Sequence, residues 1–321
     1  MKLIRMAKGA RKIIEQCVSV KPGEDVLIVT DTGTDPLLAT SLAIAAEAAG
    51  GKASIIASSP IEQAGEEPQR SIAAAMKGAD VVIAPTSKTI FHTKATREAT
   101  ARGARVFTLS EAKPEILIEG LIEVDFDAQQ IVADSLARRI EGVGLIQIKA
   151  PGGTDIRADL NGRFPVVSSG ICRNPGERMG ASLEVFIAPV ENRTDGVFVC
   201  DASCSTIGLI NEPIEIMFQE GVAVSIGGGK EAKKLKALLE GVDNPSAYVA
   251  CEVAFGLNPK ARMIGDIIED EGKYGTGHVA LGNNIGFGGE NNVPLHIDMV
   301  YWKPTVWLDG EMIFRDGELL L

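Results

Sequence analysis

The chain has 321 residues, enough for two domains of ordinary size at roughly 100–200 residues each. Hydrophobic residues make up 45% and charged residues 23%, which excludes wholesale disorder and predicts a sizeable core. The formal charge of −11, with no basic stripe interleaved with aromatics, argues against nucleic-acid binding.

The opening MKLIRMAKGARKIIEQCV scatters basic residues through an amphipathic pattern, and so reads as a first helix rather than a signal peptide. No run approaches the ~20 apolar residues of a membrane span. Five dispersed cysteines, Cys17, Cys172, Cys200, Cys204 and Cys251, do not suggest a disulfide framework. A cytoplasmic protein, not associated with membranes, is expected.

Residues 1–144 alternate strand and helix signals, predicting an α/β domain with a parallel sheet. Strands are expected at DVLIVTD (25–31), KASIIAS (52–58), DVVIAPT (80–86) and RVFTLS (105–110). Helices are expected at LLATSLAIAAEAAG, at SIAAAMKGA and over 93–104. Two more follow, ending in the amphipathic 128–143. Residues 145–321 change character and predict a mostly β domain. LIQIKAPGGTDIRADL reads as a hairpin across Gly152-Gly153, and Asp195-Gly196, Asp309-Gly310 and Asp316-Gly317 are hairpin cues. One helix interrupts at 230–242, and long connections rich in Gly and Asn run near 256–277 and 282–294, as active-site loops often do.

A nucleotide reading fails. The turn after the first strand, TDTGTDPLLA, carries neither phosphate-loop fingerprint. Gly227-Gly228-Gly229-Lys230 lies in the β-rich half and reads as a flexible turn into a helix.

The chemistry concentrates elsewhere. Only three histidines occur, His92, His278 and His296. In Leu-His296-Ile-Asp298-Met, strand periodicity puts the imidazole and the carboxylate on one face, able to share a metal ion. Glu184 in SLEVFIAP, Glu252 in AYVACEVAFGLNP and His278 in GTGHVALG each interrupt an apolar segment. A carboxylate inside such a segment is costly to bury unless it is paired or ligates a cation. Together the five offer N and O donors without thiolate, suited to Zn, Co, Mn or Fe(II). The spacing is not HExxH, so no zincin is implied.

At these residues the sequence resembles the M29 metallo-aminopeptidases, also called aminopeptidase T. The likeness is carried by LEVFIAP, CEVAFGLNP, IIEDEGKYGTGHVALGNN, HIDMVYWKPTVWLDG and VKPGEDVLIVTD. It implies metal ligation by Glu184, Glu252, His278, His296 and Asp298, cleavage of N-terminal residues from peptides, and a homodimer. The family's tyrosine ligand does not carry over: VALGNNIGFGG contains no Tyr, and Ile285 stands near the expected place. A related branch, the 2,5-dihydroxypyridine 5,6-dioxygenases, is similar in length and implies a single Fe(II) held by two His and one carboxylate. It also implies a catalytic role for His92 in TSKTIFHTKATREA.

Three functions stay open on this reading. The first is metal-assisted amide hydrolysis, in which a bound ion lowers the pKa of water to about 7 and Glu269, Asp270 or Glu271 serves as general base. The second is an Fe(II) ring-cleaving oxygenase with His92 as acid or base. The third is a non-catalytic protein that keeps the fold.

Overall fold

Six of the seven residues of β1 (Asp25–Asp31) are buried, the mark of a strand covered on both faces. It pairs in parallel with β2 (Lys52–Ser58) and β3 (Val81–Ala84), and β3 pairs in parallel with β4 (Arg105–Thr108). A fifth strand, β8 (Arg178–Gly180), joins β4 in parallel and completes the order β2-β1-β3-β4-β8. The helices of this region are α1 (Lys2–Lys12), α2 (Pro36–Ala48), α3 (Arg70–Met76) and α4 (Lys94–Ala101). Each of α2 and α4 begins at a residue whose side chain accepts a backbone N–H, Asp35 from Leu37 and Thr93 from Thr96. The parallel α/β sheet expected of the N-terminal region is therefore present. Of the two helices expected before residue 144, the first is a pair of short 3₁₀ turns and the second is α5 (Phe126–Ile140).

The computed structural model describes residues 1–320. Chain contacts divide it into Met1–Gln130 with Ser168–Ser182, and Ile131–Val167 with Leu183–Leu321. A single break near residue 144 misses this exchange. Residues 168–182 return to the first unit because β8 hydrogen-bonds β4.

The second unit is built from two antiparallel sheets. The eight-stranded sheet runs β14-β13-β10-β6-β5-β18-β19-β20. Its members are β5 (Leu145–Lys149), β6 (Asp155–Asp159), β10 (Thr194–Cys200), β13 (Ile214–Gln219), β14 (Val222–Gly227), β18 (Thr305–Leu308), β19 (Glu311–Arg315) and β20 (Glu318–Leu319). The seven-stranded sheet runs β12-β11-β17-β16-β15-β9-β7. It comprises β7 (Val166–Ser168), β9 (Glu184–Ile187), β11 (Ser203–Cys204), β12 (Gly208–Leu209), β15 (Ala250–Gly256), β16 (Thr276–Gly282) and β17 (His296–Trp302). Two helices complete the unit, α6 (Lys230–Glu240) and α7 (Ile267–Asp270), the latter inside the expected 256–277 connection.

The Asp309-Gly310 and Asp316-Gly317 pairs do turn hairpins, with positive φ at all four residues. Asp195-Gly196 does not. It lies within β10, where Gly196 has φ +121° and an added Cβ would stand 2.1 Å from the Asp155 carbonyl oxygen. The glycine there permits close approach of the neighbouring strand, not a reversal.

Aromatic rings join the two sheets. Phe198 of β10 meets Tyr301 of β17 edge-on at 5.5 Å, and Phe255 of β15 stacks on Phe314 of β19 at 4.8 Å. Because strand side chains alternate, the odd residues 297, 299 and 301 of β17 enter this core and the even residues 296, 298 and 300 face the opposite side. No helix among the described residues is long and apolar enough to cross a membrane.

The end of β16 is narrow. Gly282 has φ +112°, pairs with His296, and an added Cβ would lie 2.3 Å from the Leu295 carbonyl oxygen. Gly282→Ala is expected to lower stability by about 1–3 kcal/mol, read as a drop in the urea midpoint; an unchanged midpoint contradicts this.

Candidate metal centre

Register decides which side chains meet on the outer face of the seven-stranded sheet. Across β15, β16 and β17, Glu252 lies opposite Ala280, and Ala280 lies opposite Asp298. Directly opposed residues point to the same face, so the two carboxylates flank a methyl group and can lean together above it. His278, two residues before Ala280, and His296, two before Asp298, share that face. On the other side, Glu184 of β9 opposes Gly256, and Phe186 opposes Ala254. A register shift in β15 between Ala250 and Glu252 also brings Cys251 Sγ within 3.7 Å of His296 Nδ1.

The result is a closed ring in which imidazoles and carboxylates alternate. His278 Nε2 lies 3.0 Å from Glu252 Oε1, and Glu252 Oε2 lies 3.6 Å from His296 Nε2. His296 Nε2 is 3.0 Å from Asp298 Oδ1, which in turn is 3.8 Å from His278 Nε2. Two donors that share one ion at about 2.1 Å can stand no more than about 4.2 Å apart, and all four separations fall within that span. Glu252, His296 and Asp298 each offer a ligand atom within 4.8 Å of the others. Glu184 Oε2 lies 3.8 Å from His278 Nδ1, on the other edge of the ring, where it cannot share an ion with Nε2 of the same imidazole. All five residues expected to ligate metal thus lie close together: Glu252, His296 and Asp298 offer donors near enough to share one ion, His278 stands beside both carboxylates, and Glu184 lies behind His278.

The environment suits a cation. Glu184, Glu252, His278 and Asp298 are buried, while about a third of the His296 side chain, 32%, is exposed. Buried His278 Nδ1 has no hydrogen-bond partner among the described residues. Burial alone would lower the pKa of His278, but the Glu252 hydrogen bond and the charges of Glu184, Glu252 and Asp298 raise it to about 9. Burial likewise opposes the charged form of His296, yet Asp298 and Cys251 hold its pKa well above the usual value. Burial disfavours ionised Asp298, but His296 and His278 keep it at about 2. In the absence of an ion, the carboxylates draw protons onto the imidazoles. With donors of this kind, the cluster can hold a divalent metal.

The orientation of these donor side chains is fixed from behind. His296 Nδ1 is 2.9 Å from the Asn283 carbonyl oxygen, an acceptor, so Nδ1 carries a proton; Nε2 faces Asp298 Oδ1 and carries a second one in the metal-free state, the one an ion at that nitrogen would displace. The Asp298 N–H donates to Ser205 Oγ at 2.9 Å, and the Ser205 N–H donates to the Asp298 carbonyl. Phe287 stands beside His296, ring centroids 6.1 Å apart, and packs edge-on against Phe186 at 5.2 Å. Neither Ser205, Asn283 nor Phe287 carried a signal in the sequence beyond its neighbourhood.

The residues expected to act as bases are placed otherwise. Glu269 accepts from the backbone N–H, Nε and guanidinium of Arg262, and Asp270 accepts from the N–H groups of Ile264 and Gly265. Both carboxylates are committed to closing the loop after β15. Glu271 is half-buried at the end of α7. His92 is exposed on the turn before α4, in the first unit.

The family described as 2,5-dihydroxypyridine 5,6-dioxygenase (NicX) matches residues 5–321. The chain is 24% identical over 260 residues to the 2,5-dihydroxypyridine 5,6-dioxygenase of Pseudomonas putida KT2440, covering 77% of this chain and 72% of that protein. Among solved structures, the 2,5-dihydroxypyridine dioxygenase from the same strain aligns with a TM-score of 0.84 at 18% identity, over 99% of this chain and 97% of the other. Wild-type AmpT from Thermus thermophilus aligns with a TM-score of 0.71, also at 18% identity, over 99% of both chains. At such identities these structures establish a shared fold. They support both branches of the resemblance drawn from the motifs.

Two outcomes follow from the geometry. The folded pKa of His278 lies above its ordinary value of 6.5, so its proton stabilises the metal-free fold below about pH 6.5, and this contribution is lost as pH rises through about 9. Metal must displace protons from both imidazoles. Affinity should therefore rise with pH across this window, with about two protons released per ion near pH 7; calorimetry in buffers of different ionisation enthalpy measures the count, and zero release contradicts it. Ala280→Val should cost about 1–3 kcal/mol in overpacking and weaken metal binding, because its extra methyls enter the space between Glu252 and Asp298; equilibrium dialysis reads the affinity.

Proposed function

The chain belongs to the 2,5-dihydroxypyridine 5,6-dioxygenase family, and from that premise we propose that it is an iron(II)-dependent dioxygenase that opens a dihydroxylated nitrogen-containing aromatic ring. The observation that carries this reading is the cluster in which Glu252, His296 and Asp298 offer donors close enough to share one ion, with His278 Nε2 beside both carboxylates. Two histidines with a carboxylate, leaving positions open for oxygen and substrate, form a donor set suited to non-haem iron(II).

A bound ferrous ion would supply the one-electron chemistry that lets oxygen react with a closed-shell ring. The residues supply the rest. The Asn283 carbonyl accepts the Nδ1–H of His296, so that Nε2 would be the nitrogen offered to an ion, and Ser205 fixes the backbone of Asp298. Three carboxylates outweigh the charge of a divalent ion with two neutral imidazoles by one, and this net negative surrounding would favour the oxidised side of iron chemistry. The exposed edge of His296, with Phe287 beside it, is the open side on which a planar ring is accommodated. For a substrate like the one in the family's name, the bond between carbons 5 and 6 breaks and both oxygen atoms enter the product.

The second reading, peptide hydrolysis, is favoured by one feature. Glu184 adds a third carboxylate on the outer nitrogen of His278, as a second ion would require. The fold shared with AmpT agrees with it.

Iron(II)-loaded protein mixed with 2,5-dihydroxypyridine in air-saturated buffer is expected to consume about one O₂ per ring opened, followed with an oxygen electrode and by loss of ring absorbance. His296→Ala and Asp298→Ala should lower turnover more than about 100-fold, beyond the usual effect of changing a supporting residue. Release of amino acids from unblocked dipeptides by zinc- or cobalt-loaded protein, without oxygen uptake by the iron form, would overturn the proposal in favour of hydrolysis.

A further inference from the structure

The connection from β16 to β17 runs through Asn283–Leu295 and is closed at its base by the Asn283 N–H donating to the Leu295 carbonyl at 2.8 Å. One side chain organises its interior. Asn284 is fully buried; its Oδ1 accepts from the Asn291 N–H at 2.8 Å, and its Nδ2 donates to Glu191 Oε1 at 3.0 Å and reaches the Cys251 carbonyl at 3.4 Å. Its backbone takes part too, accepting from the N–H groups of Phe287 and Gly289 and donating to the Asn291 carbonyl. Glu191 in turn accepts the Glu290 N–H at 2.7 Å and pairs with Arg163, whose guanidinium also donates to the Gly288 carbonyl. The loop is therefore gripped from inside by Asn284 and from outside by the Arg163–Glu191 pair.

What this grip holds is the back of the candidate metal centre. Asn283, next to Asn284, presents the carbonyl that accepts the Nδ1 proton of His296. Phe287, whose N–H bonds Asn284, sets its ring beside the same imidazole. Cys251, whose carbonyl Asn284 reaches, precedes Glu252 in β15. One carboxamide thus ties the strand bearing Glu252 to the loop that orients His296.

We infer that Asn284, supported by Glu191 and Arg163, is a positioning residue: it fixes the ring orientation of His296, with Nδ1–H held on the Asn283 carbonyl, and so prepares the centre for metal before any ion arrives. The inference rests on the reading of His296 as a metal ligand, but its structural half stands on the free protein. Asn284 touches neither metal nor substrate and acts through the Asn283 carbonyl.

Gly289 offers a second handle on the same group. A Cβ added there would lie 1.9–2.2 Å from the Asn284 carboxamide atoms, so Gly289→Ala pushes that amide aside while every hydrogen-bonding group stays in the chain. Asn284→Ala removes the amide outright.

The experiment is ¹⁵N NMR of histidine-labelled wild type, Asn284→Ala and Gly289→Ala, metal-free and zinc-loaded, with zinc affinity measured in parallel. Three histidines make the spectrum simple. Wild type should show a His296 Nδ1 proton protected from solvent exchange in both states. Both variants should lose that protection and bind zinc about 10- to 100-fold more weakly, while still unfolding cooperatively on heating. Should Asn284→Ala fail to fold, Gly289→Ala gives the answer alone. Retention of the protected proton and of wild-type affinity in Gly289→Ala would overturn the inference. If wild type binds no zinc at this cluster, the metal reading falls; loss of the protected proton in the variants would still uphold the clamp.

Discussion

Three carboxylates and two imidazoles crowd one largely buried patch of a sheet, and their charge favours a cation among them. Taking ionised groups out of water costs several kcal/mol each unless they are paired. Here Glu184, Glu252 and Asp298 have each other and two rings that can carry protons or a metal. The raised pKa of His278 and the depressed pKa of Asp298 report the same imbalance from the proton's side. A divalent ion would offset two of the three negative charges with both imidazoles neutral.

Strand register gives that charge its geometry. Glu252, Ala280 and Asp298 form one cross-strand row, and the smallest side chain sits in the middle. Beneath, the opposite faces of β15 and β17 pack Phe255 and Tyr301 against the second sheet. The face bearing the candidate centre is thus laid on a stiff apolar sandwich, and its donor side chains are set by strands rather than by mobile loops. The loop that does approach, 283–295, is pinned by hydrogen bonds of its buried asparagine side chains, one of them to half-buried Glu191. This fits a family of enzymes whose two structural relatives share a fold while bearing the names of different activities.

Much of this was legible in the chain, for identifiable reasons. His296 and Asp298 sit two apart in a strand, and a period of two is the most readable feature of β structure. Glu184, Glu252 and His278 were visible because each breaks an apolar run. Their common centre was not visible, since it depends on register between segments up to a hundred residues apart. The bulge beside Cys251 adds a shift that no local pattern announces. The same limit explains the exchange of residues 168–182, whose strand is too short to signal its partner. Asp195-Gly196 misled because glycine serves close strand contact as well as turns. The acidic run at 269–271 resembled free bases, and only Arg262 and the backbone donors around it reveal that Glu269 and Asp270 hold a loop.

The most direct measurement is anomalous diffraction at the iron edge from crystals grown with iron(II) under anaerobic conditions. The account predicts one peak on the outer face of the seven-stranded sheet, at about 2.0–2.2 Å from His296 Nε2 and an Asp298 oxygen. Absence of a peak there, with His278 and His296 still paired directly to Glu252 and Asp298, would contradict it.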